Sequence, residues 1–158
     1  MKLNLGCSDN LLPPEWVNVD LFFSPEVWSD RSRRMQAADL RDGWPWPESS
    51  VDEIRAWDII EHLPDKIHTM NEAWRVLRPG GVLDIKIPTT DGPGAWQDPT
   101  HVSYWNRNSF LYYTYDDPHR LRFGEAYGIK ARFEVMPGEG FISNSGVPKL
   151  HIRLRAVK

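Results

Sequence analysis

Cysteine is nearly absent: Cys7 is the single one among 158 residues, which excludes an intramolecular disulfide framework. No apolar run is long enough to cross a membrane. The chain enters an apolar strand directly after Met1-Lys2, which leaves no room for a signal peptide, so the cytoplasm is the expected location. Charge of one sign is also missing. Nineteen basic against 22 acidic residues give a net charge of −3, which argues against non-specific binding to nucleic acid or an anionic membrane. The local exception is the cluster Arg31, Arg33 and Arg34, read first as a solvated helix face. The five histidines and the carboxylates show no metal-ligand spacing, such as two His at i and i+4 with a third ligand. Repeats, low-complexity tracts and interdomain linkers are absent, so one domain over residues 1–158 is expected. Leu, Ile, Val and Phe are not depleted, which argues against global disorder.

Tryptophan is plentiful, with eight in the chain. Trp44, Trp46 and Trp96 fall in Pro- and Gly-rich loops, where such rings are expected to serve binding or to cover a pocket. Residues 2–5 and 16–21 read as strands. Only about nine residues separate them, too few for a full βαβ crossover, so any helix there has one or two turns at most. Residues 25–35 predict a helix of about three turns. Residues 36–40 form a short strand ending at Asp39, and 51–60 contain a buried strand. Pro64-Asp65 opens a helix whose stripe is Ile67, Met70, Ala73, Trp74 and Leu77, and Pro79-Gly80-Gly81 stops it. A strand follows over 82–87. Residues 106–116 suggest a further helix with an aromatic face. Residues 132–136 and 150–157 alternate like strands. The expected fold is α/β: a Rossmann-like, open, mostly parallel sheet of about seven strands, helices on both faces, a very short first helix and an antiparallel edge hairpin.

In such a sheet, ligands bind beyond the carboxyl ends of the strands. Residues 3–20 read LNLGCSDNLLPPEWVNVD. Gly6 permits a sharp turn and close approach, and Asp20 can accept from two ribose hydroxyls. Asp39 at the next strand end can accept from an adenine amino group. Ser8, Asp9 and Asn10 stand where a dinucleotide fingerprint wants glycines. Asp9 would repel a pyrophosphate, whereas S-adenosylmethionine has no phosphate. An NAD-binding oxidoreductase is therefore the weakest reading.

With Val51-Asp52-Glu53-Ile54, Glu61-His62-Leu63-Pro64-Asp65 and Val76-Leu77-Arg78-Pro79-Gly80-Gly81 added, the chain resembles a class I S-adenosylmethionine-dependent methyltransferase over roughly residues 2–110. The ordered set LGC, VD, ADL, SVDEI, EHL and LRPGG carries the likeness. The resemblance implies that Leu5, Gly6, Cys7 and Ser8 meet the methionine part of the cofactor. It also implies that Asp20 with Leu21 meets the ribose, Asp39 with Leu40 the adenine, and Trp57 with Asp58 the sulfonium. Ser8 departs from the usual glycine, and the family's helix before the first strand is missing.

The segment Asp98-Pro99-Thr100-His101-Val102-Ser103-Tyr104-Trp105 follows the fifth strand, on the side that faces the methyl group in this fold. His101 is the candidate base, with an ordinary pKa of about 6.5. Tyr104 and Trp105 would wall the acceptor, and His62 is a candidate at the same place, although Glu61-His62 also suits local hydrogen bonding before a helix. Cys7 reads as a packing residue. The expected reaction is methyl transfer to an unidentified acceptor, a small-molecule or glycan hydroxyl or amine. The alternatives are a non-catalytic binding or assembly protein of the same fold and a nucleic-acid or protein methyltransferase.

Overall fold

The computed structural model describes residues 1–138, 140–144 and 147–158. The elements, in chain order, are β1 (Lys2–Leu5), β2 (Trp16–Asp20), α1 (Pro25–Ser29), β3 (Arg34–Ala37), β4 (Val51–Trp57), α2 (Lys66–Val76), β5 (Leu77–Pro88), α3 (Gly94–Gln97), α4 (Pro118–Phe123), β6 (Phe133–Val135), β7 (Gly140–Asn144) and β8 (Val147–Ala156). Two 3₁₀ turns, Ile60–His62 and Arg107–Tyr113, lie between them. The sheet runs β3-β2-β1-β4-β5-β8-β6, with β7 also on β8. The pairs among β1 to β5 are parallel, and β8 is antiparallel to β5, β6 and β7. This is the expected mostly parallel sheet with an antiparallel edge. The Gly/Ser-rich stretch before β8 adds β7, a strand that periodicity does not reveal.

Alternation divides the sheet into two unlike faces. Leu3, Leu5, Val17, Val19, Ile54, Ala56, Leu83, Ile85, Leu150, Ile152 and Leu154 are buried and belong to one core cluster. Helix α2 covers them with Met70, Ala73 and Val76, at helical spacing. Asp65 caps this helix, accepting from the His68 amide at 2.8 Å, and Pro79 prevents its continuation. The opposite face carries Asn4, Asn18, Arg55, Trp57, Asp84, Lys86, His151 and Arg153, which sit side by side in register. His151 Nε2 lies 2.7 Å from Asp84 Oδ1, and Arg55 stacks 3.6 Å from the Trp57 ring.

The segment between β1 and β2 contains no helix, not even the one or two turns the sequence allowed. Two buried asparagines take its place. Asn4 and Asn18 are register partners. Asn4 Nδ2 donates to Asn18 Oδ1 and to the Asn10 carbonyl, both at 2.9 Å. Asn18 Oδ1 also accepts from the Leu12 amide at 2.8 Å, and its Nδ2 donates to the Leu12 carbonyl at 3.1 Å. Side-chain amides thus satisfy backbone groups that a helix would have satisfied within itself.

Other expectations are corrected. The helix expected over 25–35 ends at Ser29, because the Asp30 carboxylate accepts from the Ser32 amide (2.9 Å) and hydroxyl and turns the chain into β3. The helix expected over 106–116 is a 3₁₀ turn that buries Phe110 and Tyr113, three residues apart, as a three-residue turn requires. Trp44 and Trp46 cover no pocket. They are core residues, 4% and 5% exposed, and their carbonyls are held by Arg75 on α2. No helix among the described residues is long and apolar enough to cross a membrane.

Candidate functional site

Two clefts open beyond the carboxyl ends of the strands. The first, about 200 Å³, is lined by Gly6, Asp20, Leu21, Asp39, Leu40 and His62, all singled out in the sequence, and also by Ile59 and Arg41, which were not. Gly6 has φ +61°, and a Cβ there would lie 2.6 Å from the Ile59 side chain. Glycine is required twice over, by conformation and by space. Gly6→Ala is therefore expected to destabilise the fold by about 1–3 kcal/mol, checked by urea unfolding.

Behind Gly6 the chain is tied to β2. The Cys7 amide donates to the Val19 carbonyl (3.2 Å), and the Ser8 amide to Asp20 Oδ2 (2.8 Å). Burial, helped by the charge of Asp20, pushes the Cys7 thiol up to about 12, so it packs as an inert side chain. Leu5 is likewise buried beneath the turn. Ser8 adopts φ +43°, a conformation that favours glycine. Asp20 Oδ1 accepts from the Leu21 amide at 2.7 Å. Oδ1 also accepts from the Phe22 amide at 3.4 Å, so Oδ2 is the oxygen that retains a further lone pair for a ligand.

Asp39 does not stand free. The Arg41 guanidinium and amide hold it, with Nε at 2.9 Å and the backbone nitrogen at 3.0 Å. These hydrogen bonds bring its carboxyl down to about 2. An adenine amino group would share this carboxylate with Arg41.

The second cleft, about 310 Å³, lies between β4, β5, β8 and the segment after α3. Its polar lining is Asp58, Glu61, His62, Asp98, His101 and Lys149. His62 borders both clefts. Asp58 has φ +52° and accepts from Lys149 Nζ at 2.6 Å, which places it here rather than in the first cleft. Trp57 lines neither cleft; its indole donates to Asp84 Oδ1 at 3.2 Å on the polar sheet face. The His101 side chain is 7% exposed. Its Nδ1 lies 3.1 Å from the Ala95 carbonyl. A carbonyl only accepts, so Nδ1 carries the proton and Nε2 keeps its lone pair. His62 Nδ1 meets both the Thr100 carbonyl, at 3.2 Å, and the Thr100 hydroxyl, at 3.1 Å.

Tyr104 stacks on Trp96 with ring centres 4.4 Å apart, and both rings are exposed. Trp105 is corrected to the core. It is 1% exposed, stacks on Phe110 and donates to Ser103 Oγ at 2.9 Å.

Sequence reasoning left Glu61 to local hydrogen bonding. It is 3% exposed, and neither carboxylate oxygen accepts from another described residue. Burial, with Asp58 and Asp98 adding, pushes its carboxyl up to about 7 against the opposing pull of its own amide and Lys149. Its backbone carbonyl accepts from the Val102 and Ser103 amides (2.9 and 3.0 Å), which pins the 98–105 segment to the end of β4. A larger hollow of about 630 Å³, lined by Lys66, Tyr112, Tyr113 and Tyr127 among others, contains none of the expected site residues.

Known proteins share the fold, and part of the chain matches a known domain family. A methyltransferase-domain family matches residues 16–85. A protein of Mycolicibacterium smegmatis named as a probable S-adenosylmethionine-dependent methyltransferase is 40% identical over 67 residues, covering 39% of this chain and 26% of its own length. The matched stretch, 70 of the 158 residues, is similar to a methyltransferase domain. S-adenosylmethionine is the methyl donor in the printed name of the Mycolicibacterium relative. The 27-O-demethylrifamycin SV methyltransferase of Amycolatopsis mediterranei is 46% identical to this chain over 41 residues, covering 26% of this chain and 15% of its own length. The chain thus spans about a quarter or less of the length of these curated relatives. Among solved structures, the Burkholderia thailandensis 1,6-didemethyltoxoflavin-N1-methyltransferase, with its substrate and S-adenosylhomocysteine bound, superimposes with a TM-score of 0.67. It is 15% identical, covering 99% of this chain and 71% of its own.

Proposed function

We propose that this chain transfers a methyl group from S-adenosylmethionine in the first cleft to a hydroxyl acceptor in the second. The observation that carries the reading is His62, which borders both clefts. Donor and acceptor chambers meet at one side chain, as an in-line displacement at short range requires. In the first cleft Asp20 takes the ribose, Asp39 and Leu40 the adenine, and the turn Gly6-Cys7-Ser8 the methionine part.

A sulfonium is a good leaving group, so the chemistry asks for proton removal only where the acceptor is a hydroxyl. The second cleft contains groups for that task, Glu61, His62 and His101, which an amine acceptor would not need. The exposed Trp96–Tyr104 pair lies on the same chain segments as the cleft residues Gln97 and His101 and suits a flat ring or a sugar face. The Amycolatopsis relative, named for an O-demethyl substrate, agrees with an oxygen acceptor.

The test is methyl transfer from radiolabelled S-adenosylmethionine to a panel of hydroxyl and amine acceptors. Transfer to a hydroxyl is expected, and His101→Ala is expected to lower kcat by about 10²–10⁴-fold with S-adenosylhomocysteine affinity unchanged. Transfer confined to amines, or equal loss of turnover and cofactor affinity in the variant, would contradict this assignment.

A further inference from the structure

Glu61, His62 and His101 bring one donor atom each within 4.8 Å of one another at the second cleft. The three come from two segments some forty residues apart, so no spacing in the sequence announces them. Two features of the group point to a ligand. The Glu61 carboxylate is buried, and neither oxygen is satisfied by another described residue, an arrangement proteins keep only where something else neutralises the group. Both imidazoles donate Nδ1–H to a backbone carbonyl, of Thr100 and Ala95. This is the outer hydrogen bond that fixes the tautomer of a metal-bound histidine and leaves Nε2 free to coordinate. Of the neighbouring charges, Asp58 holds Lys149, Asp98 Oδ1 holds the Thr100 amide and hydroxyl, and Asp98 Oδ2 faces His101 Nε2 at 3.9 Å.

We propose that Glu61, His62 and His101 bind one divalent transition-metal ion whose open positions receive the acceptor hydroxyl. Two nitrogens and one carboxylate oxygen suit a borderline ion of the zinc, cobalt or iron(II) class, and three protein ligands leave coordination sites for substrate. With bonds of about 2.0–2.2 Å in a tetrahedral set, ligand atoms lie roughly 3.3–3.6 Å apart, so the side chains close by about an ångström to complete the set.

The inference rests on the acceptor assignment above and deepens it. A hydroxyl bound to such an ion loses its proton to water far more readily than a free one, as metal-bound water does. The resulting oxygen attacks the methyl carbon. The O–C bond forms as the C–S bond breaks, its electron pair goes to sulfur, and neutral S-adenosylhomocysteine departs. His101 then acts as a ligand, and the ion takes over the work of a base.

The test uses the untagged chain, freed of metal by a chelator and titrated with Co²⁺ alone. Binding is followed by visible d–d absorption and by metal content after desalting. One Co²⁺ per chain is expected, displaced by Zn²⁺. Glu61→Gln and His62→Asn are each expected to weaken uptake at least tenfold, whereas His119→Asn on α4 leaves it unchanged. Thermal melting identifies folded variants; should Glu61→Gln fail to fold, His62→Asn, at a half-buried position, decides. No saturable uptake by the folded chain, or uptake unaltered in the variants, overturns the proposal in favour of a Glu61 proton shared with an imidazole. Calorimetry with S-adenosylhomocysteine on the same preparation separates the two readings. Cofactor binding without Co²⁺ uptake overturns the metal site alone, and Co²⁺ uptake without cofactor binding overturns the methyl-transfer reading.

Discussion

Asn18→Ala is expected to destabilise the protein by about 3–5 kcal/mol, more than any surface substitution. Asn18 is fully buried between β1 and β3, and its amide does four things at once. Its oxygen accepts from Asn4 and from the Leu12 amide, and its nitrogen donates to the carbonyls of Leu12 and Arg34. Removing it leaves a buried amide and part of a backbone turn without partners, at roughly 1–3 kcal/mol for each unsatisfied group. For a chain of this length that corresponds to a fall in melting temperature of roughly 6–20 °C. Thermal unfolding by circular dichroism measures it, and a shift under about 2 °C would show that the loop between β1 and β2 is held by something else.

Asp20→Ala is expected to weaken S-adenosylhomocysteine binding by about 1–3 kcal/mol, the cost of losing a charged hydrogen-bond partner, or about 5- to 150-fold in Kd. Asp20 holds the Ser8 amide as well as presenting a lone pair to the cleft. The variant therefore loses both a ligand contact and a tether of the cofactor turn. Asp20→Asn keeps an oxygen for the Ser8 amide and is expected to fall between the two. Unchanged affinity in a folded Asp20→Ala protein would remove the ribose from this carboxylate.

Much of the architecture was legible in the chain because burial on a sheet or a helix imposes a period. The apolar alternation of β1, β2 and β4 and the stripe of α2 were readable, and so was the order of strand ends that brings Gly6, Asp20, Asp39 and His62 to one cleft. What escaped was held by polar side chains, which carry no period. The Asn4–Asn18 pair replaces a helix, and its one outward sign was asparagine inside strands, where it is disfavoured. The Asp30 turn cut short a helix that propensity alone extended to residue 35. Trp44 and Trp46 looked like loop aromatics until Arg75 and Glu72 drew their backbone onto α2. Glu61 read as a local hydrogen-bonding residue, because only the fold brings His101 beside it. Trp105 read as a pocket wall because it follows His101 by only four residues. Its own ring turns inward to Phe110.

Calorimetric titration of the purified chain with S-adenosylhomocysteine, with NADH as control, is the most direct measurement. Saturable micromolar binding of S-adenosylhomocysteine, lost or weakened in Asp20→Ala and absent with NADH, is predicted. A folded chain that binds neither molecule, or binds NADH as well as S-adenosylhomocysteine, would contradict the assignment of the first cleft to the methyl donor.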